Sequence, residues 1–403
     1  MKTNSAENKS LFTGYSKKKL YCLAETYEEL AKLYRGRQNA ADMPADKASL
    51  DRKDILYRRE LRETNQIFAN HLEEISEAFL EVADTVVHVS RPVEHKRKAL
   101  VQHLKKHGIQ ARELIFVEGG ASRRISMEAR SILRKEIPAE DLAGLLSVYF
   151  NRRLMPALDS AMLLGRGYDL FIFEDEPRFM VLSAMSRAVK EDEKISGDNF
   201  SVEEYSHNQM VAMISDGMGS GEQACHDSRS VIEFMEKFME AGFSKEKALM
   251  MVNGALFSQN PGGNLTTLDI CSIDLLNGEA DFIKVGAAAS FLKRGMHVEE
   301  IAADTLPLGS VEEINTMQLM VQLCNADMLI MVSDGVTDAF GEFGARRMQD
   351  IIAKTNYVNP KELSDYLLKC AIGCQGGHIR DDMTVLAMYI NQSNDFAEAE
   401  TKS

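Results

Sequence analysis

The chain has 403 residues, 45% apolar and 27% charged, with 61 carboxylates against 47 lysines and arginines and a formal charge of -14. That length accommodates two domains and a sizeable core, and the balance is that of a folded globular protein rather than a disordered one. The negative charge argues against nucleic acid or an anionic membrane as main partner, and no run of about 18 apolar residues is present to span a bilayer.

The acidity fits a protein that gathers carboxylates around cations, and equally a generally acidic solvated surface. The start, MKTNSAENKSLFTGYSKKKLYCLAE, is basic without an apolar core and does not read as a signal peptide. Six scattered cysteines without a Cys-x-x-Cys suggest reduced thiols in a cytosolic protein. Cys370, Cys374 and His378 are close enough in sequence to suggest a metal, but buried apolar thiols are commoner and no fourth ligand is evident.

Residues 1–50 read as an arm, a short helix over KKLYCLAETYEELAKLY and a loop at Met43-Pro44. Residues 51–108 are expected to be helical. Leu61, Phe68, Ile75 and Val82 recur every seven residues, Leu72, Phe79 and Val86 fill the complementary seam, and Asn65 interrupts it. Such a seam suits either a homodimer through helix 52–87 or one helix of an intramolecular bundle. After Pro92 a basic helix runs to Gly108.

Residues 109–175 read as a small α/β subdomain: a hairpin from ARELIFV and RISMEARSIL, a helix from PAEDLAGLLSVYF, and a strand YDLFIFED. Beyond Pro177, hairpins alternate with helices. VEEYSHNQMVAMISDG runs into a helix near Ser220, whose Ser-x-x-Gln with Gln223 suggests a capping box, and a second helix follows Ser244. Two strands flank the Asn277-Gly278 turn. ADMLIMVSDGVTDAF and DDMTVLAMYI hold buried strands, and the tail 392–403 is acidic and expected to be disordered. The pattern is that of an antiparallel α+β layer fold.

Four aspartate-bearing turns fall at expected strand ends: Ser196-Gly197-Asp198, Ser215-Asp216-Gly217, Ser333-Asp334-Gly335 and Arg380-Asp381-Asp382. One Asp-Gly after a strand is ordinary turn chemistry. Four, delivered together by central strands of one sheet, would repel unless cations lay between them. Oxygen ligands without clustered His or Cys select Mg²⁺ or Mn²⁺, and glycine beside aspartate leaves its carbonyl open to approach. Two such ions about 3.5–4 Å apart can bridge a water, lower its pKa and hold it in line with a phosphoryl group. No Walker loop, Gly-x-Ser-x-Gly or dinucleotide fingerprint competes, and GMGSG lacks the lysine of a phosphate loop.

KISGDNF, ISDGMGSG, TTLDICSIDLLNGEADFIKVGAAASFLKRG, TLPLGS, MVSDGVTD and RDDMTV, in that order over about 177–391, resemble the motifs of the metal-dependent protein phosphatase 2C superfamily. The likeness is to its bacterial branch typified by stage II sporulation protein E, whose regulatory segment residues 50–175 resemble more weakly. The resemblance implies an α+β fold over 176–391, an antiparallel β-sandwich flanked by helix pairs with a dimetal cleft at the sheets' ends, preceded by a helical and small α/β regulatory region. It implies that Asp216 bridges two Mn²⁺ or Mg²⁺ ions, that Gly217 offers its carbonyl, that Asp198 holds one ion and that Asp334 and Asp381 hold the other. Asp198 and Asp216 are thus the catalytic pair, and adjacent Asp382 competes with Asp381.

Met218 stands where eukaryotic members carry His, as in the sporulation branch, and no clear phosphate-binding Arg precedes Asp198. Lys190 and Lys194 are candidate anchors or solvated loop charges. The implied substrate is a phosphoserine or phosphothreonine protein, specifically a phosphorylated anti-anti-sigma factor whose dephosphorylation releases a sporulation sigma factor. The implied location is the cytoplasm, or the cytoplasmic face of the membrane if the chain is a fragment of a longer membrane protein. In this family a helix ahead of the catalytic domain can shift and complete the metal site, a role that falls here to 50–107 if that segment is more than a spacer. The rivals are a stress-response phosphatase of the same superfamily, a non-catalytic scaffold, and a nucleotidyl cyclase or nucleotide hydrolase.

Overall fold

The computed structural model describes residues 88–393 apart from short gaps, together with parts of 20–32 and 66–80. They fall into two compact units, one drawn from residues 1–86, 230–266 and 306–316, the other from 87–229, 267–305 and 317–403.

The second unit begins with β1 (His88–Ser90), α1 (Glu94–Lys106), β2 (Ile109–Gly119), β3 (Ser122–Ser131), β4 (Ile137–Pro138), α2 (Ala139–Phe150), β5 (Leu154–Pro156), β6 (Leu163–Leu164) and β7 (Asp169–Asp175). An antiparallel sheet of order β1-β2-β3-β7-β5 results, with β4 and β6 as a separate pair. Ile125, Met127 and Ala129 alternate on β3 and meet Leu100 and Leu104 of α1 and Leu142 and Leu146 of α2. A period of two on the strand and of about 3.6 on the helices thus face one core. Helix α1 gives way at Gly108, whose φ of 78° is open to glycine and where a Cβ would stand 2.5 Å from Leu133. The sheet starts at His88, ahead of the expected boundary at 109, because β1 pairs with β2.

Farther along the chain come β8 (Phe179–Ala188), β9 (Asp198–Ser206), β10 (Gln209–Asp216), α3 (Gly221–Glu240), α4 (Lys245–Gln259, in the first unit), β11 (Leu268–Asp274), β12 (Glu279–Val285), β13 (Ser290–Arg294) and β14 (His297–Ile301). They are followed by β15 (Met317–Gln322), β16 (Met328–Val332), α5 (Asp334–Asp338), α6 (Gly344–Ala353), α7 (Pro360–Cys374) and β17 (Met383–Gln392). Two five-stranded antiparallel sheets form, β15-β12-β11-β10-β9 and β14-β13-β16-β17-β8. Ala212, Ile214, Cys271 and Phe282 of the first sheet share a core with Leu329, Met331, Leu386 and Met388 of the second. The other face of β16, Met328, Ile330 and Val332, packs with Val336, Met348, Leu363 and Leu367 of the following helices. Burial on both faces explains the unbroken apolar run MLIMV.

The Asn277-Gly278 turn forms as expected, with Gly278 at φ 72° and Asp274 Oδ1 accepting from the Leu276 and Asn277 amides. The segment around it holds three strands rather than two, since β13 crosses into the other sheet. The strands that carry Asp216 and Asp334 likewise lie in different sheets, so their ends meet across the sandwich and not along one sheet. Phe282 is fully buried between the sheets. Phe282→Ala is expected to cost about 3–5 kcal/mol in urea unfolding, and a loss under about 1 kcal/mol would contradict this packing.

In the first unit, Ser76 Oγ donates to the Ala24 carbonyl at 2.8 Å, Tyr27 stacks on Phe79 with centroids 5.5 Å apart, and Ala31, Ala69 and Leu72 form a small core. Asn253 of α4 donates to the Val311 and Glu312 carbonyls and accepts from the Gly309 amide. At neighbouring Gly254 a Cβ would stand 2.7 Å from His71 Nε2, so the glycine makes room for that ring. Of the heptad positions, Leu72 is buried and Ile75 and Phe79 are half-buried. Leu61, Asn65, Phe68, Val82 and Val86 lie outside the described residues, and with them most of the expected dimer helix 52–87. The arm at 1–19, the loop at Met43-Pro44 and the tail after Ser393 also lie outside them. No helix among the described residues is long and apolar enough to cross a membrane.

Candidate active site and metal centre

Asp216 is the last residue of β10 and Asp198 the first of β9, and they are direct partners across the antiparallel ladder. Like charges placed directly opposite destabilise a sheet. The sequence nevertheless puts a third carboxylate, Asp334, at the end of β16, and a fourth, Asp381, just before β17. Asp334 opens helix α5 with Ser333 as N-cap residue, so the expected Asp-Gly turn is a strand-to-helix junction. A helix N-terminus favours negative charge, which lowers the cost of placing Asp334 there.

Burial pushes the Asp216 carboxyl up to about 9, helped by the charges of Asp198, Asp334 and Asp381. The adjacent Asp334 side chain raises Asp216 further. Asp198 is driven by burial to about 6, although hydrogen bonds from Thr384 and Ser333 favour its ionised form. Asp334 is also raised, first by burial and then by Asp338 and Asp381.

Thr384 Oγ1 donates to Asp198 Oδ2 at 2.7 Å, while Asp198 Oδ1 is buried with no hydrogen-bond partner. An orphaned carboxylate oxygen costs roughly 1–3 kcal/mol, more when charged, unless something electropositive approaches it. Gly217 follows Asp216 with its amide toward the Gly197 carbonyl, and a Cβ at Gly217 would overlap the backbone of Ala224 on α3. Among the described residues no three His, Cys, Asp or Glu side chains already surround one point. The aspartates face one another in pairs, and an oxygen-only set with one oxygen unsatisfied fits hard divalent cations.

Asp381 and Asp382 separate cleanly. The Asp381 charge acts on Asp216, Asp334 and Asp338, whereas Asp382 faces the Asp198 loop and accepts from the Gly197 amide (2.7 Å) and the Lys190 amide (2.9 Å). Lys190 therefore reaches the site through its backbone, and Lys194 is exposed. His378 faces Glu191, and the Cys-His grouping forms no metal site among the described residues. Ser220 lies outside the described residues, and Gln223 donates to Asp227. The second helix has its cap, the Lys247 amide donating to Ser244 Oγ at 3.4 Å.

Sequence reasoning missed Asp338, Thr384 and Thr267. Asp338 stands four residues after Asp334 on one short helix, and burial followed by the charge of Asp381 raises its carboxyl. Its signal was the i,i+4 spacing in SDGVTD, legible only if that stretch is a helix. Thr267 Oγ1 accepts from the Asp216 amide, while the Thr267 amide donates to the Asp216 carbonyl.

The stage II sporulation protein E (SpoIIE) family model matches residues 206–391. Stage II sporulation protein E of Bacillus subtilis is 28% identical over 335 residues, covering 79% of this chain and 40% of that protein. Its namesake from Priestia megaterium is 26% identical, covering 81% and 56%. The structure of the PP2C phosphatase domain and a fragment of the regulatory domain of the cell fate determinant SpoIIE from Bacillus subtilis matches with a TM-score of 0.64 and 25% identity, over 86% of this chain and all of that one. The chain resembles the protein phosphatase 2C family, and within it SpoIIE. The family model runs from β10 into β17, and the SpoIIE structure matches a larger share of the chain, 86%. This chain spans about half the length of the SpoIIE proteins it matches.

Proposed function

We propose that the sandwich is a Mn²⁺- or Mg²⁺-dependent protein serine/threonine phosphatase, with Asp198, Asp216, the Gly217 carbonyl, Asp334 and Asp381 holding two ions. The observation that carries this reading is the direct pairing of Asp198 with Asp216 across β9 and β10, facing Asp334 from the other sheet. Bound there, two divalent cations supply positive charge to a phosphoryl group and lower the pKa of a water. The chain's own part is geometric. Thr384 fixes one oxygen of Asp198 so that the other projects, Thr267 holds the Asp216 backbone from both sides, and α5 presents Asp334 at a helix N-terminus. Cations held there would favour the ionised form of Asp216, whose carboxyl burial otherwise raises.

The substrate we propose is a serine-phosphorylated anti-anti-sigma factor, acted on in the cytoplasm or at the cytoplasmic face of a membrane. The likeness to sporulation proteins supports it. The test is phosphate release from such a phosphoprotein with Mn²⁺, with the ion chelated, and with Asp381→Asn. Release that needs Mn²⁺ and falls by about 10²–10³-fold in the variant, the range for losing one key electrostatic contact, supports the reading. No release at saturating Mn²⁺ from folded protein leaves a scaffold, and turnover of nucleotides instead leaves a nucleotide hydrolase.

A further inference from the structure

We infer that Asp382 is a positioning residue rather than a metal ligand: its carboxylate stitches the loop that carries Asp198 onto the start of β17, and so aims Asp198 at the metal site. The inference rests on the proposed role of Asp198 and assigns a function to a residue that role leaves idle. Both Asp382 oxygens are taken, Oδ2 by the Gly197 amide at 2.7 Å and Oδ1 by the Lys190 amide at 2.9 Å. The side chain is 5% exposed, and ionised carboxylates accepting backbone amides make strong, directional contacts. The two amides flank the loop 190–197, so one carboxylate pins both of its ends immediately before Asp198.

Thr384 adds a second tie. Two residues on from Asp382, it donates to Asp198 Oδ2, while Asp381 is turned to Asp216, Asp334 and Asp338. Asp381 is thus directed toward the carboxylates, while Asp382 and Thr384 serve the Asp198 loop. The backbone is held in turn: a Cβ on Gly335 would overlap the Asp382 carbonyl oxygen, and the Thr384 amide donates to Ser333 Oγ. Partners that orient a metal ligand commonly change metal affinity by about 10–100-fold when removed.

The experiment compares Asp382→Ala, the milder Asp382→Asn and Asp381→Ala in the full chain. Amide hydrogen exchange is read without metal, and Mn²⁺ affinity is read by calorimetry. In Asp382→Ala the Lys190 and Gly197 amides should exchange at least about tenfold faster while those of β16 stay unchanged, and Mn²⁺ should bind about 10–100-fold more weakly. Asp382→Asn, which keeps one acceptor oxygen, should fall between it and wild type. Asp381→Ala should weaken Mn²⁺ binding without loosening those two amides.

Unchanged exchange at both amides in Asp382→Ala overturns the inference, as does faster exchange with unaltered Mn²⁺ affinity. So does an Asp382→Asn variant that keeps its amides protected yet binds Mn²⁺ as weakly as Asp381→Ala, which would make Asp382 a ligand. A wild type that binds no Mn²⁺ sinks this inference and the dimetal reading together. Mn²⁺ binding with the loop effect intact but no phosphoserine hydrolysis sinks the substrate reading alone.

Discussion

Asp216→Asn should make the metal-free protein more stable at pH 8 and at the same time erase catalysis. In the folded state the Asp216 carboxyl is held up to about 9 by burial and by the aspartates around it, against 3.8 for the ordinary group. Between those values the folded chain binds a proton that the unfolded chain has released. The stabilisation this proton confers is full below about pH 4 and is lost progressively as the pH rises toward 9. Asparagine cannot ionise, so the variant lacks that slope. It should melt several degrees above wild type at pH 8 without metal, and the advantage should shrink toward pH 5.

Mn²⁺ should reverse the order. A ligand that binds only the folded state stabilises it in proportion to the logarithm of its saturation, and the variant lacks a carboxylate of the proposed metal-holding set. Phosphate release should drop by about 10³-fold or more, in line with removal of a group central to transition-state electrostatics. Thermal unfolding at pH 5 and pH 8, with and without Mn²⁺, checks both halves. A variant less stable than wild type at pH 8 without metal, or one that keeps the Mn²⁺ shift, would contradict the account of Asp216.

Gly217→Val should damage the site severely while leaving every aspartate in place. Its Cβ would overlap the carbonyl oxygen of Ala224, and the neighbouring carbonyl carbon and Cα lie within 2.9 Å, so the obstruction is backbone on the first turns of α3. Backbone cannot rotate aside as a flexible side chain can, and forced overlaps of this kind cost about 1–3 kcal/mol or more. The expected result is a lowered urea midpoint, loss of the Mn²⁺ thermal shift and at least about 10²-fold less activity. Gly373→Ala on α7 is the control. Nothing lies within 4 Å of its Cβ position, so a gain of about 0.5–1 kcal/mol is expected there from helix propensity. If Gly217→Val kept its Mn²⁺ shift and activity, the close approach of β10 to α3 would have no part in shaping the site.

Much of the site could be read in the sequence because each element announces itself locally. The apolar run QMVAMI before Ser215-Asp216-Gly217, and MLIMV before Ser333-Asp334-Gly335, mark buried strands by their length and their Asp-Gly ends, and Asn277-Gly278 marks a hairpin by turn chemistry alone. Strand existence, turn position and the choice of oxygen ligands depend on neighbours within a few residues. The short helix α5 escaped because five residues are too few to show a helical period.

The partners across space were not legible in that way. Nothing in the order of residues says that β10 and β16 belong to opposite sheets, since an apolar strand buried on both faces suits either one. Adjacent Asp381 and Asp382 are chemically identical, and only the direction each side chain takes from the chain divides them into one that faces the carboxylates and one that binds two backbone amides. The sequence by itself determined which residue types, strands and turns were available, because propensity, periodicity and turn geometry are short-range. The tertiary structure alone decided which carboxylates meet, which oxygen is left without a partner, and how far burial and mutual repulsion shift them, because those terms depend on separation in space rather than along the chain.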